Sequence, residues 1–261
     1  VSETSTKFQA VAFATTTNTP HRGIVDLARH LETAGLGEWQ LSLITGTAPG
    51  QTPFTGHEYR SPDHRWIYRI LPTQLSVLHI PAARSQGPPS IDQQPVPLDS
   101  PLDFAVQSAR ILSFGLQRYG VRASRAAVLL TSLSTASAED LAAPCHKLLR
   151  TPSAFPTPFE WNYRVAYRQD RLLGERQLAT NSILSVRRGQ FTQQAHLPGH
   201  APVALAQISG LELTTDINTV SEESYSLTSD DVSRFIMESP NWHSEFRDTF
   251  DIGLAGSESA T

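Results

Sequence analysis

From Trp161 to Arg168 the sequence alternates without a break. Trp161, Tyr163, Val165 and Tyr167 are large and apolar, and Asn162, Arg164, Ala166 and Arg168 between them are small or polar. Successive side chains on a strand point to opposite faces, so this period of two specifies a strand buried on one side and wet on the other. Sheets that leave one face to solvent are typically antiparallel. This stretch therefore demands antiparallel partners, and a turn near Asp170 to Gly174 leads into one, Gln177 to Val186. A second hairpin is specified where Trp66, Tyr68 and Ile70 alternate with Arg65, Ile67 and Arg69, and Pro72-Thr73 turns the chain into Leu75 to Ile80. Phe8 to Thr15, Trp39 to Ile44, Ser124 to Ser134 and Val203 to Ile217 read as further strands.

Between these lie helix signals. Ser100 caps and Pro101 opens a helix whose stripe is Leu102, Ala105, Val106, Ala109, Leu112, Leu116 and Tyr119, and Gly120 stops it. Thr19, Pro20 and Gly35 bracket another in the same way. Thr228 and Asp231 form a capping box before Val232, Phe235 and Ile236; Pro240 is expected to break that helix, and Trp242, Phe246 and Phe250 to form a separate closing one. Ser137 with Asp140 starts a short helix through Leu149 that Pro144 would interrupt, and Pro81 to Pro97 reads as an irregular connection. The order predicts an α+β protein of two similar halves, residues 1–120 and 121–252, with a disordered tail at 253–261. Each half is expected to be a separate antiparallel sheet with helices on one face, reading strand, helix, three or four strands, helix. The helix at 100–120 would hinge them.

Composition narrows the class. No apolar run approaches the roughly 20 residues that span a bilayer, and Val11 to Ala14 is too short for a signal peptide, so a cytoplasmic protein without membrane attachment is expected. Cys145 is the only cysteine, which excludes an internal disulfide and a cysteine-rich zinc site. Of 21 basic residues only Lys7 and Lys147 are lysine, as GC-rich coding produces. Val1 at the start matches a literally translated GTG codon, which suggests a complete bacterial reading frame. A net charge of -4 disfavours a general nucleic-acid binder.

Two stretches carry a resemblance. Tyr59-Arg60-Ser61-Pro62-Asp63-His64 runs into Trp66 to Val77 with its Leu-Pro-Thr-Gln-Leu-Ser-Val turn. Leu211-Glu212-Leu213-Thr214-Thr215-Asp216-Ile217 is followed by the capped helix and by Trp242-His243-Ser244-Glu245-Phe246 with Phe250. Together they resemble a sporadically distributed family of bacterial proteins of about this length with no settled activity. The chain departs from the family after the helix at 100–120, where Arg125-Ala126-Ala127-Val128 replaces an arginine, tyrosine and asparagine set. Sporadic distribution implies accessory cargo, such as toxin-neutralising or phage-defence modules.

Catalytic constellations are weak. His196 and His200 flank Pro198-Gly199 and so form a turn, unlike the helix face of a zinc HExxH site. His57, Glu58, Asp63 and His64 gather near a strand entry, and His243 reads as a histidine satisfied by a backbone carbonyl. Cys145 and His146 are sequence neighbours and would point apart on a helix. An acidic pair, Glu222 with Glu223 or Asp230 with Asp231, could serve a metal-dependent nuclease, although helix-start solvation explains Asp230 and Asp231 more simply, and neither a phosphate loop nor a dinucleotide fingerprint is present. No metal or cofactor is expected. Charge offers more: Arg164 and Arg168 share a strand face, Arg176 lies on the partner strand, and Arg187 and Arg188 end it. Arginine suits planar recognition of carboxylate or phosphate. The expected function is thus non-enzymatic binding of a macromolecule, in the first place a protein, through these five arginines. A metal-dependent hydrolase or nuclease and a chaperone-like client binder are the alternatives.

Overall fold

The structure is a computed structural model that describes residues 2–15, 29, 31–32, 38–46, 54–81, 98, 100–135, 142–149, 158–195, 203–223 and 225–250. The strands are β1 (Ser2–Phe13), β2 (Gln40–Gly46), β3 (Phe54–Arg60), β4 (Trp66–Leu71), β5 (Gln74–His79), β6 (Arg125–Thr135), β7 (Trp161–Leu173), β8 (Arg176–Ala195) and β9 (Val203–Thr219). The helices are α1 (Pro101–Tyr119), α2 (Ala142–Leu148) and α3 (Ser229–Asp248). The expected helix between Thr19 and Gly35, the connection from Pro81 to Pro97, and the tail at 253–261 lie almost wholly outside the described residues.

All nine strands of the described residues belong to one antiparallel sheet in the order β2-β3-β4-β5-β1-β6-β9-β8-β7. This corrects the expected two sheets. The join is β1 with β6, paired from Ser2 opposite Thr135 to Phe13 opposite Arg125 with an irregularity between Ser5 and Lys7. Side-chain alternation reports which face of a strand is buried, whereas sheet continuity is decided at the strand edges. β1 and β6 lie innermost, and each satisfies its free edge on the other. A meander of β2 to β5 forms one wing and β7 to β9 the other.

The helices lie on one face. Phe8, Ala10 and Ala12 of β1 and Ala126 and Val128 of β6 face them, all buried. On α1 the cap is as expected: Ser100 accepts from the Asp103 amide, and Gly120 stops the helix at φ 62°. The buried stripe is rotated, however, to Phe104, Ala105, Ser108, Ala109, Ile111, Leu112, Gly115 and Leu116, leaving Leu102 exposed. Gly115 fixes that rotation, since a Cβ there would overlap the Tyr68 hydroxyl. The helix is no hinge between separate sheets: it packs on β1 and β5 and along α3, where Gln117 Nε2 donates to Ser229 Oγ at 3.1 Å.

Two prolines behave differently from expectation. Pro240 sits inside α3, which continues to Asp248 as one helix. Its missing N–H would orphan the Ile236 carbonyl, and Ser239 Oγ donates to that oxygen at 2.7 Å instead. Pro144 falls in the first turn of α2, where no intrahelical N–H bond is needed. A smaller cluster under α2 and the end of α3 joins Cys145, Trp161, Leu184, Val186, Leu211, Leu213 and Phe246.

Candidate binding surface

The strand period carries the arginines to both faces of the sheet. Trp161, Tyr163, Val165 and Tyr167 point to the helices, and so Asn162, Arg164, Ala166 and Arg168 point away and are exposed. Along one strand Arg164 and Arg168 are about 13 Å apart at the usual rise. Register decides the rest of the set. Arg187 lies opposite Asn162 and joins them on the outer face. Arg176 and Arg188 lie opposite Leu173 and Trp161 and turn inward. The structure thus brings together Arg164, Arg168 and Arg187, and separates Arg176 and Arg188 from them.

Each arginine's surroundings follow from its face. Arg176 donates to the Ser226 carbonyl and Asp231 Oδ2 at 3.3 and 3.4 Å and stacks on Tyr225, so it braces the start of α3. Arg188 is buried beside Trp161. On the outer face Arg168 meets Glu222 at 3.3 Å, and Arg187 meets Glu212 at 3.1 Å while covering the Phe191 ring. The Glu222 carboxyl is held low chiefly by its own backbone amide, with Arg168 and Ser221 assisting. Arg164 is exposed and has no hydrogen-bond or ion-pair partner among the described residues.

A polar row on β8 and β9 flanks the arginines. Asn181 donates to Asn218 at 3.2 Å, and Asn218 donates to Asp216 Oδ1 at 2.9 Å. Burial pushes the Asp216 carboxyl up, against the pull of Asn218, Arg125 and Arg164. Arg125 stacks on Phe13 and donates to the Thr219 carbonyl at 3.1 Å. Sequence reasoning missed Asp216, Asn218 and Arg125 as members of this surface. The signal was there: Leu211, Leu213, Thr215 and Ile217 alternate with Glu212, Thr214, Asp216 and Asn218.

The other candidates resolve into structural roles. Glu58 binds Arg60 and Arg69, and Asp63 accepts from Ser61 and the Arg65 amide in a turn where His64 takes φ 56°, so this group does not converge. Cys145 is buried, and burial pushes its thiol up, while His146 beside it is exposed. Asp231 closes the capping box with Thr228. His243 is buried, its Nδ1 is 2.8 Å from Thr215 Oγ1, and desolvation drives its pKa down to about 3 against the Val128 carbonyl. It borders a cavity of about 200 Å³ between α3, β6 and β9. His196 and His200 lie outside the described residues. Among the described residues no three His, Cys, Asp or Glu side chains come together as a metal site, and no helix is long and apolar enough to cross a membrane. No protein-family model matches the chain, and no curated protein matches it.

Proposed function

We propose that this chain is a non-enzymatic binding protein that recognises an acidic protein partner through the outer face of β7 and β8. The observation that carries this reading is Arg164: an exposed guanidinium without an ion pair among the described residues, flanked by Arg168 and Arg187 whose own side chains are more than half exposed where they meet Glu222 and Glu212. Exposed pairs of this kind are worth little and exchange readily for a better acceptor. Glu212, Glu222 and Asp216 lie among the arginines, so the surface has mixed sign. That pattern matches a protein surface of complementary charges better than a uniformly anionic phosphate backbone. Toxin neutralisation, one setting implied by the resemblance, is compatible with such a partner.

The test is capture of a partner from the native host by wild-type protein and by the Arg164→Glu/Arg168→Glu variant. Wild type should retain a specific protein at low salt and release it as salt rises. The variant should lose it with a melting temperature nearly unchanged, since exposed charge changes alter stability by less than about 0.5 kcal/mol. A folded variant that captures the same partner overturns the reading, as does wild type that captures nothing specific.

A further inference from the structure

β7 ends the sheet on one side, and among the described residues nothing pairs with its outer edge. Sheet edges that stay unpaired are commonly blunted by shortness, a proline or a bulge. β7 has none of these: it runs 13 residues from Trp161 to Leu173 without proline, and its register against β8 is unbroken. From Ala166 to Asp170 its side chains are exposed on both faces of the sheet. Pairing fixes which of its backbone groups are open. Ala179 stands opposite Asp170, yet its amide donates to the Tyr225 hydroxyl and its carbonyl accepts from the Val220 amide, both on the side away from β7. Asp170 and Ala179 are therefore a non-hydrogen-bonded pair. By alternation the N–H and C=O groups of Asn162, Arg164, Ala166, Arg168, Asp170 and Leu172 point off the open edge.

A row of open donors and acceptors fits another strand, and the charges along this one single out which. We propose that β7 pairs antiparallel with β7 of a second copy of the chain, about a two-fold axis at Tyr167. Only residues whose backbone points off the edge can bond across it, so the register is limited to steps of two. The register centred on Tyr167 aligns the whole strand, Trp161 opposite Leu173, and sets Arg164 of each copy opposite Asp170 of the other. Both side chains lie on the outer face, both are exposed, and neither has an ion pair among the described residues. Arg168, which keeps Glu222, comes opposite the small Ala166. A slip of two residues one way puts Arg164 opposite Arg168, and the other way Arg168 opposite itself, each a like-charge contact. A slip of four shortens the ladder to Val165–Leu173 or Trp161–Gln169. On the helix-covered face the two Tyr167 rings, each half exposed, meet at the axis. The contact is self-complementary, so it closes as a dimer. It does not rest on the outer face recognising an acidic partner: the ladder is made by backbone, and its test uses the purified chain alone.

Sedimentation equilibrium should show the mass of one chain at low concentration and of two at high concentration, with a micromolar Kd. Ala166→Pro removes an N–H that points off the edge and no bond to β8, so it should fold and weaken association about tenfold or more. Should that variant fail to fold, charge supplies a second test. Arg164→Glu and Asp170→Arg should each weaken association, and the two together should restore it. Cross-linking reads the register. Partners in a non-hydrogen-bonded pair hold their Cα atoms about 4.5 Å apart, within reach of a disulfide. Cys145 is the only native cysteine and is buried, so under mild oxidation Tyr167→Cys should give a covalent dimer and Ala166→Cys should not. The proposal is overturned by the mass of one chain at about 100 µM, a hundredfold above a micromolar Kd. It is equally overturned by a dimer that Ala166→Pro and the single charge reversals leave intact, or by Ala166→Cys cross-linking in place of Tyr167→Cys.

Discussion

On the outer face of the one sheet, the two wings use arginine in opposite ways. In β3 and β4 the Nε atoms of Arg60 and Arg69 close on the two oxygens of Glu58 at 2.7 and 2.6 Å, and the Glu58 side chain is only 6% exposed. In β7 and β8 Arg168 and Glu222 meet at 3.3 Å with both side chains more than half exposed, and among the described residues Arg164 meets no carboxylate. Register explains the contrast. Arg69 stands directly opposite Glu58, and Arg60 shares the same strand face two residues on. Opposite Arg164 and Arg168 stand Ser185 and Asn181, which carry no charge to offer. The one in-register carboxylate of the second wing, Glu212 opposite Arg187, pairs with an arginine that is half exposed, so register makes a buried brace in the first wing and at most a surface pair in the second. The helix-covered face differs in parallel: Tyr59 and Tyr68 are fully buried in the first wing, whereas Tyr167 is half exposed in the second.

The largest expected effect tests that packing difference. Tyr68→Ala should cost about 3 to 5 kcal/mol in chemical denaturation, and Tyr167→Ala about 1 kcal/mol or less. Equal losses would show that the second wing is packed as tightly as the first. Tyr68→Phe sharpens the point: the hydroxyl is enclosed against Gly115 without an acceptor, so its removal should be neutral or stabilising.

Periodicity made one part of this contrast legible and left another hidden. The strand at Trp161 and the hairpin at Trp66 were readable because their alternation is strict, and it placed Arg164 and Arg168 on the outer face. It could not place Arg176 or Arg188. Arg187 and Arg188 are adjacent and must point oppositely, and which one turns outward depends on pairing Asn162 with Arg187, an inter-strand fact. The single sheet was hidden for the same reason, since β1 and β6 meet edge to edge. β3 escaped because Phe54–Arg60 begins within Gly- and Thr-rich sequence, where turn chemistry outweighed strand propensity. Pro240 misled because its rescue by Ser239 is a side-chain contact that the proline rule does not include.

Acid should affect the core through α3, on the side of the second wing. His243 titrates near 3 in the folded state and near 6.5 unfolded, because burial disfavours the imidazolium. At pH 7 both states are neutral and the group is silent. As pH falls from about 6.5 toward 3 the unfolded chain binds a proton that the native state refuses, so stability drops by up to about 1.4 kcal/mol per unit, or about 2 to 3 kcal/mol at pH 4.5. The raised Asp216 carboxyl works the other way, favouring the native state as it protonates. The clean readout is the difference in slope between wild type and His243→Asn by urea unfolding from pH 7 to 4.5. Parallel slopes would remove His243 as the cause.

Breaking the buried brace comes next in size. Glu58→Gln leaves Arg60 and Arg69 without their shared acceptor, and because each is about a third exposed, water recovers part of the loss. A cost of about 2 kcal/mol is expected, below that of a fully buried pair. Glu212→Gln in the other wing should cost less than about 0.5 kcal/mol, since the Arg187 side chain it pairs with is 53% exposed. Comparable losses would erase the distinction between the two wings.

The smallest effect probes whether Arg164 is as free as its surroundings imply. It makes no contact with Asp216, yet its charge lies close enough to oppose the upward pull of burial on that carboxyl. Arg164→Gln should leave thermal unfolding essentially unchanged, and the Asp216 carboxyl, followed by ¹³C NMR during a pH titration, should titrate higher than in wild type. Asn218 and Arg125 still hold it from the other side, so the displacement should be small. An unchanged Asp216 titration would mean that solvent already screens Arg164 completely, and its proposed role would rest on exposure alone. A marked loss of stability would mean that Arg164 is a brace after all, and the two wings would then use arginine alike.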